Sequence, residues 1–297
     1  MKHIGQVYFI MENKSKIFVI YHKAENPIFS DVYQPLLVGS NKHSNNIFLY
    51  DDVGENISLK NKVYNEMTGI YWVFSHLNEF ADVEYIGFSH YRRLFCFNGN
   101  KMAYVRKNTN NNLVEVNGKV INDIFTKYGF IAPRPNHYKS VKKHYEKSHN
   151  KEDVELLIKC IEQISPKYIK DAIEYLNGNN EYLYNMFVFK KESFIEYGNF
   201  IFPILDKFVS LKPNIDRLYV SERLTGVFIY HLIKQGFTPY FLPILHVRSK
   251  SIRAAFKQIK ESKDANKKSS LFFKFKPLLL CLLPRWFEQI LRRKKAK

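Results

Sequence analysis

Cysteine is scarce in this chain. Cys96, Cys160 and Cys281 lie far apart and are odd in number, which excludes a disulfide scaffold. No Cys/His group has the spacing of a structural zinc site. Long apolar runs are missing as well. No stretch of about 18 or more uncharged apolar residues occurs, so no membrane-spanning helix is expected. The first apolar stretch, Val7 to Met11, is too short for a secretory signal and is closed by Glu12 rather than a small-residue cleavage site. Acidic residues are few, 28 against 46 Lys+Arg. What is present is apolar and aromatic, 45% hydrophobic and 16% Phe, Trp or Tyr over 297 residues. That excludes wholesale disorder and suffices for one large domain or two small ones with a real core. The cysteine usage predicts a protein working in a reducing cytoplasm.

The excess charge is concentrated at one end. From Arg248 to Lys297 there are 16 Lys+Arg against Glu261, Asp264 and Glu288, a net of +13 out of +18. The first 247 residues carry only +5. A nucleic-acid binder usually spreads its basic stripe over the folded face, so no nucleic-acid partner is expected. The chain divides accordingly into a body, 1–247, and a basic tail, 248–297. Within the tail, Leu271 to Leu291 mixes Leu and aromatic residues with Lys274, Lys276 and Arg285. That mixture suits a segment lying in the interface of an anionic bilayer, each basic residue contributing on the order of 1 kcal/mol. The Lys- and Ser-rich stretch from Ser249 to Ser270 reads as its linker.

The body alternates strand-like and helix-like patterns. Lys16–Tyr21, Ile47–Tyr50, Tyr85–Phe88, Phe130–Ala132, Tyr184–Phe189 and Phe237–Val247 read as strands. A helix capped by Ser58 is expected to bury Tyr64, Met67, Tyr71, Phe74 and Leu77. Another carries Val154, Leu157, Ile158 and Ile161; a third starts at Ser165–Pro166 and stops at Gly178; a fourth is capped by Ser221. This alternation predicts an α/β domain with a mostly parallel sheet flanked by helices.

In open α/β sheets, ligands bind outside the carboxyl ends of the strands. The polar clusters sit at such positions: His22–Lys23, Asp51–Asp52, His90–Tyr91–Arg92–Arg93 and Asn185. Paired arginines after a buried strand suit an anion clamp, because each guanidinium holds phosphate through forked, charge-assisted hydrogen bonds. Their alternative is an ordinary salt-bridged or solvated surface. Asp51–Asp52 offers hard oxygens for Mg²⁺ or Mn²⁺, or simply forms a turn. Glu222, in the first turn of its helix, is favoured there by the dipole whether or not it is catalytic.

Five segments in order carry a resemblance. They are Asp51–Asp52–Val53–Gly54–Glu55–Asn56–Ile57–Ser58 with Asn61; Asn65–Glu66–Met67–Thr68–Gly69–Ile70–Tyr71–Trp72; Gly87–Phe88–Ser89–His90–Tyr91–Arg92–Arg93; Tyr184–Asn185–Met186–Phe187; and Ser221–Glu222–Arg223–Leu224. Together, over about residues 16–247, they resemble the bacterial capsular-polysaccharide and lipopolysaccharide glycosyltransferase family whose marker is His-Tyr-Arg-Arg, long catalogued as a domain of unknown function. Met67, Ser89 and Leu94 depart from its usual residues without removing a charge. The resemblance implies a GT-A-like nucleotide-sugar fold, galactosyl- or galactofuranosyltransferase-like activity, and catalysis without a metal, since the family lacks a convincing Asp-X-Asp motif.

On this reading the chain moves a hexosyl group, galactose in furanose or pyranose form, from a UDP-sugar to a lipid-linked glycan on the inner face of the plasma membrane. Arg92 and Arg93 would neutralise the departing diphosphate with His90 assisting. Glu222, or second Asp52, would take the acceptor proton. His22, Asn61 and Glu66 would line the nucleotide end, and Tyr71 and Asn185 would contact sugar or acceptor. Two other classes compete: a sugar-phosphate phosphotransferase with a metal at Asp51/Asp52, and a non-enzymatic binder of membranes or RNA.

Overall fold

The computed structural model describes residues 14–39, 43, 46–97, 104–106 and 116–248. The expected N-terminal stretch at Val7–Met11 and the basic tail after Arg248 lie outside the described residues. Among the described residues, twelve strands occur in chain order: β1 (Ser15–Tyr21), β2 (Tyr33–Leu37), β3 (Leu49–Tyr50), β4 (Tyr85–His90), β5 (Arg93–Phe95), β6 (Tyr104–Arg106), β7 (Phe130–Pro133), β8 (Asn136–His137), β9 (Asn180–Glu181), β10 (Phe187–Lys190), β11 (Pro239–Leu242) and β12 (Ile244–Arg248). The helices are α1 (Asn61–Tyr64), α2 (Met67–Ser75), α3 (Gly118–Phe125), α4 (Val141–Glu146), α5 (Glu152–Ile164), α6 (Ile169–Asn177), α7 (Lys191–Leu211) and α8 (Ser221–Lys234).

The main sheet runs β3-β2-β1-β4-β10-β7-β11. Neighbours are parallel throughout, except that β10 runs against both β4 and β7. The expected α/β class with a mostly parallel sheet is therefore present. Strand β1 shows why it sits at the centre. Ile17, Val19 and Tyr21 fill one face and Phe18 and Ile20 the other, and all five are buried. The Phe18 face packs under α2 and α5–α8 in an aromatic-rich core, where Phe187 stacks on Phe189 with centroids 4.1 Å apart. Gly69 brings α2 close to the sheet, since a Cβ there would lie 2.8 Å from Val38 Cγ1.

Several local expectations are corrected. The helix from Ser58 to Leu77 is broken. A 3₁₀ turn (Ser58–Lys60) leads into α1, and Asn65, at φ 51, separates α1 from α2. Asn61 makes the break by bonding Asn65 O at 2.8 Å and Thr68 Oγ1 at 2.9 Å. The buried stripe of α2 is then Met67, Ile70 and Val73, while Tyr71, Phe74 and Leu77 are half-buried. None of the three expected serine caps bonds its helix through the side chain. Tyr184 and Asn185 are not strand: at φ 81 and 48 they form a left-handed turn ahead of β10. Phe237–Val247 holds two strands, β11 and β12, divided at Pro243.

Candidate active site

Because β1–β4 are mutually parallel, their carboxyl ends share one edge, and β10, running backwards, begins there. The chain order reverses between β1 and β4, the place where open sheets form their crevice. The His90–Arg93 segment builds the site by its own geometry. Tyr91 and Arg92 are the two-residue connection of a β4–β5 hairpin, and His90 pairs directly with Arg93. Read as a plain loop, the motif conceals this cross-strand pairing.

Each arginine rests on a tyrosine. The Arg93 guanidinium lies 4.5 Å from the Tyr184 ring centre and that of Arg92 lies 5.1 Å from the Tyr91 ring. Neither takes part in the ion pairs formed among the described residues. Arg93 is half-buried and faces Glu222 and Glu66; burial, and then Arg92, lower its affinity for its proton, and those carboxylates offset this only in part. It stays a cation. Arg92 is exposed at the rim. There His22 Nε2 and the Tyr91 hydroxyl share a hydrogen bond of 2.8 Å, and the pKa of His22 is lowered by burial and then by Arg92, Lys23, His90 and Arg217. Arg217, which no motif pointed to, is thus a further cation at this rim; Leu218 N bonds Val63 O at 2.9 Å and fixes its loop.

His90 donates through Nε2 to Tyr184 O at 2.6 Å. Burial foremost, with Arg93 and Arg92 beside it, lowers its pKa against the pull of Glu66, leaving the ring neutral at neutral pH. A neutral ring with its N–H committed to a carbonyl has no proton to give a phosphate. His90 therefore does not fit the assisting-donor role; it braces the Tyr184 turn.

Asn185 also differs from expectation. It is 1% exposed, beneath the site rather than on its surface. Its Nδ2 donates to Glu66 Oε1 at 2.9 Å and Ser221 Oγ at 3.1 Å, while Oδ1 accepts from Thr225 at 2.7 Å. Its left-handed backbone, tolerated by Asn better than by most residues, aims the amide at these partners. The break at Asn65 places Glu66 at the start of α2, where the helix dipole favours its carboxylate.

Glu222 stands in the first turn of α8 with 28% of its side chain exposed, and its Oε2 lies 3.2 Å from Arg223 NH1. Burial pushes its pKa from 4.5 to about 7; Arg223 and Arg93 oppose this rise, and Glu66 and Glu181 add to it. A carboxyl held near neutrality is suited to taking up a proton at working pH.

Three predicted residues are engaged elsewhere. Asp52 pairs with His43 at 2.8 Å. Tyr71 bonds Glu55 at 2.9 Å and packs on Phe202. Asn61 holds the α1–α2 break. Asp51 is fully buried and accepts Gly39 N–H at 2.8 Å; burial raises its carboxyl above the usual range. The two adjacent carboxylates are therefore engaged separately, which does not fit a cation shared between them. Sequence reasoning gave no site role to Tyr184, Ser221, Thr225, Glu181 and Arg223, although Tyr184, Ser221 and Arg223 stand in the motif segments and Thr225 adjoins one.

A family model described as Domain of unknown function (DUF4422) matches residues 16–234. Among solved structures, the chain is similar to one described as the WbbM bifunctional glycosyltransferase in its apo form, with 24% identity and a TM-score of 0.69. The similarity covers 80% of this chain and 46% of that one, so this chain spans less than half of its length. The likeness shows a shared fold, in keeping with the GT-A-like expectation. A comparison with curated proteins returns no match.

Proposed function

Because the chain belongs to the family described as Domain of unknown function (DUF4422), and shares the fold of a solved glycosyltransferase, we propose that it is a glycosyltransferase of surface-polysaccharide synthesis. The donor is a UDP-hexose, galactosyl in furanose or pyranose form, and the acceptor a lipid-linked glycan. The observation that carries this reading is Arg93, laid on Tyr184 and facing Glu222 and Glu66 at the β1/β4 crevice.

In an inverting transfer the acceptor hydroxyl oxygen attacks the anomeric carbon. The bond from that carbon to the diphosphate breaks, and UDP leaves with the electron pair. Arg93 and Arg92 stabilise the charge that develops on the diphosphate. Removing one such preorganised donor typically lowers the rate about 10²–10³-fold. Glu222 takes the acceptor proton, and Glu66, oriented by Asn185, lines the crevice. His22, with Tyr91 and Arg217, forms the outer rim. His90 and Asn185 position these groups rather than touch substrate.

The tail, 248–297, would hold the enzyme on an anionic inner-membrane surface beside its acceptor, raising effective concentration without new contacts. Its composition, basic residues mixed with Leu and aromatics, supports this. The test is a screen of UDP-sugars for UDP release with the glycan acceptor, with and without EDTA. Release from at least one donor, insensitive to EDTA and lost in Arg93→Ala, is expected. Failure of every donor, or full activity in Arg93→Ala, would refute the reading.

A further inference from the structure

Beneath Glu222 lies a line of charges that the transfer reaction does not itself use. Arg223 NH2 is 2.9 Å from Glu181 Oε1, and the two side chains are 5% and 0% exposed. The same guanidinium reaches Glu222 Oε2 through NH1 at 3.2 Å and donates to Tyr219 O at 3.2 Å. The other oxygen of Glu181 is 2.5 Å from His144 Nδ1, whose ring is stacked on Tyr138 with centroids 3.6 Å apart. One buried cation is therefore shared between two carboxylates, and the second carboxylate is tied at its far oxygen.

The surrounding elements hold that second carboxylate in place. Glu181 belongs to a two-residue strand, β9, paired with β8 across Asn136. Tyr138 N and Val141 N close the ribbon onto Asn179 O and Gly178 O at 2.9 Å each. Ser140 caps α4, which carries His144. A buried Arg–Glu pair is weak evidence for stability, because desolvating both charges offsets most of their attraction. Its placement against Glu222 gives it another task.

We propose that Glu181 is a positioning residue for Glu222, acting through Arg223 by dividing that guanidinium between two carboxylates. The idea rests on the reading of Glu222 as the base. Glu222 is faced by Arg223 on its own helix, Glu66 ahead of α2, Arg93 on β5 and Glu181 on β9. Glu181 is faced by Arg223, by His144 and His149 of the α4 segment, and by Tyr175 of α6. Glu181 draws the Arg223 charge away from Glu222 and adds its own negative charge. Both effects keep the Glu222 proton bound up to higher pH.

The test reads Glu222 directly, without substrate. Side-chain carboxyl ¹³C shifts of the full-length, glutamate-labelled protein are followed against pH, with Glu222 assigned by the resonance lost in E222Q. In E181Q the Glu222 midpoint should fall by about one pH unit, because a repelling charge is gone and Arg223 serves Glu222 alone. In R223K it should rise by about one pH unit, because a compact ammonium does not bridge two carboxylates as the planar fork does. General loosening of the site would admit water and lower the midpoint in both variants, so a rise in R223K cannot come from structural damage. An unmoved or raised midpoint in E181Q, or an unmoved or lowered one in R223K, overturns the proposal. R223K decides alone if E181Q fails to fold; if R223K fails to fold, E181Q still overturns the proposal when its midpoint is unmoved or raised. Shifts as expected in a protein that turns over no UDP-sugar would uphold the charge relay and refute the transferase reading.

Discussion

Replacing Glu222 by Gln should stabilise the folded chain at alkaline pH while abolishing its proposed chemistry. Burial lifts this carboxyl from 4.5 to about 7 in the folded state. The folded protein therefore holds a proton, between those two values, that the unfolded chain has already released. The sign follows from linkage: the contribution of Glu222 to stability is fully present below pH 4.5 and is lost as pH rises through about 7. A gap of roughly 2.5 units at about 1.4 kcal/mol per unit sets the loss on the order of 3 kcal/mol. The amide introduced by Glu222→Gln carries no charge to desolvate, and Arg223 keeps Glu181 as its partner. Urea unfolding of both proteins near pH 4 and near pH 8 reads the difference from the midpoints at equal slope. Glu222→Gln should match the wild type at the acid end and exceed it by up to about 3 kcal/mol at the alkaline end. A difference that is independent of pH, or a variant less stable at high pH, would refute the account of Glu222.

Arg93→Ala should keep its fold yet lose about 10²–10³ in kcat, since it removes one preorganised donor; kcat within a few-fold of wild type would show that the clamp is misassigned. Asn185→Ala leaves Thr225 and Ser221 with lost partners in a buried pocket and should lower stability by about 1–3 kcal/mol, read by urea midpoint. An unchanged midpoint would show that the Asn185 network is not structural. A chain ended at 248 should retain turnover on a short soluble acceptor but no longer float with anionic vesicles, and binding by the full chain should weaken as salt rises. Flotation equally strong with neutral vesicles would contradict the electrostatic tail.

The central sheet was legible because burial on both faces forces continuous apolar runs. Lys16–Tyr21 and Tyr85–Phe88 are such runs, and both are strands. Helices α5 and α6 were legible from the spacing of Val154, Leu157 and Ile161 and from Gly178 at the end of α6. The misses share a cause: side chains chose distant partners over local ones. Ser221 looked like a cap, but its hydroxyl serves Asn185, 36 residues away. Asn61 breaks a periodic helix because its amide satisfies the carbonyl of Asn65. Tyr184 and Asn185 sit in a strand-like run, yet the site requires their left-handed turn. Arg93 and Glu222 were named from the motif segments, but the tyrosine beneath Arg93 and the Arg223–Glu181 pair beneath Glu222 depend on tertiary placement. No spacing along the chain encodes that placement.

The most direct measurement of the central claim is the pH dependence of acceptor-dependent UDP release by the wild type and Glu222→Gln under donor saturation. If Glu222 is the base, kcat rises with pH through a single ionisation at about 7, with about a tenth of the maximum near pH 6 and nine tenths near pH 8. The Gln variant has a kcat reduced by about 10²–10⁴ and no such rise. A wild-type profile flat across neutrality, or the same rise surviving in Glu222→Gln, would contradict the assignment and move the proton acceptor elsewhere in the crevice.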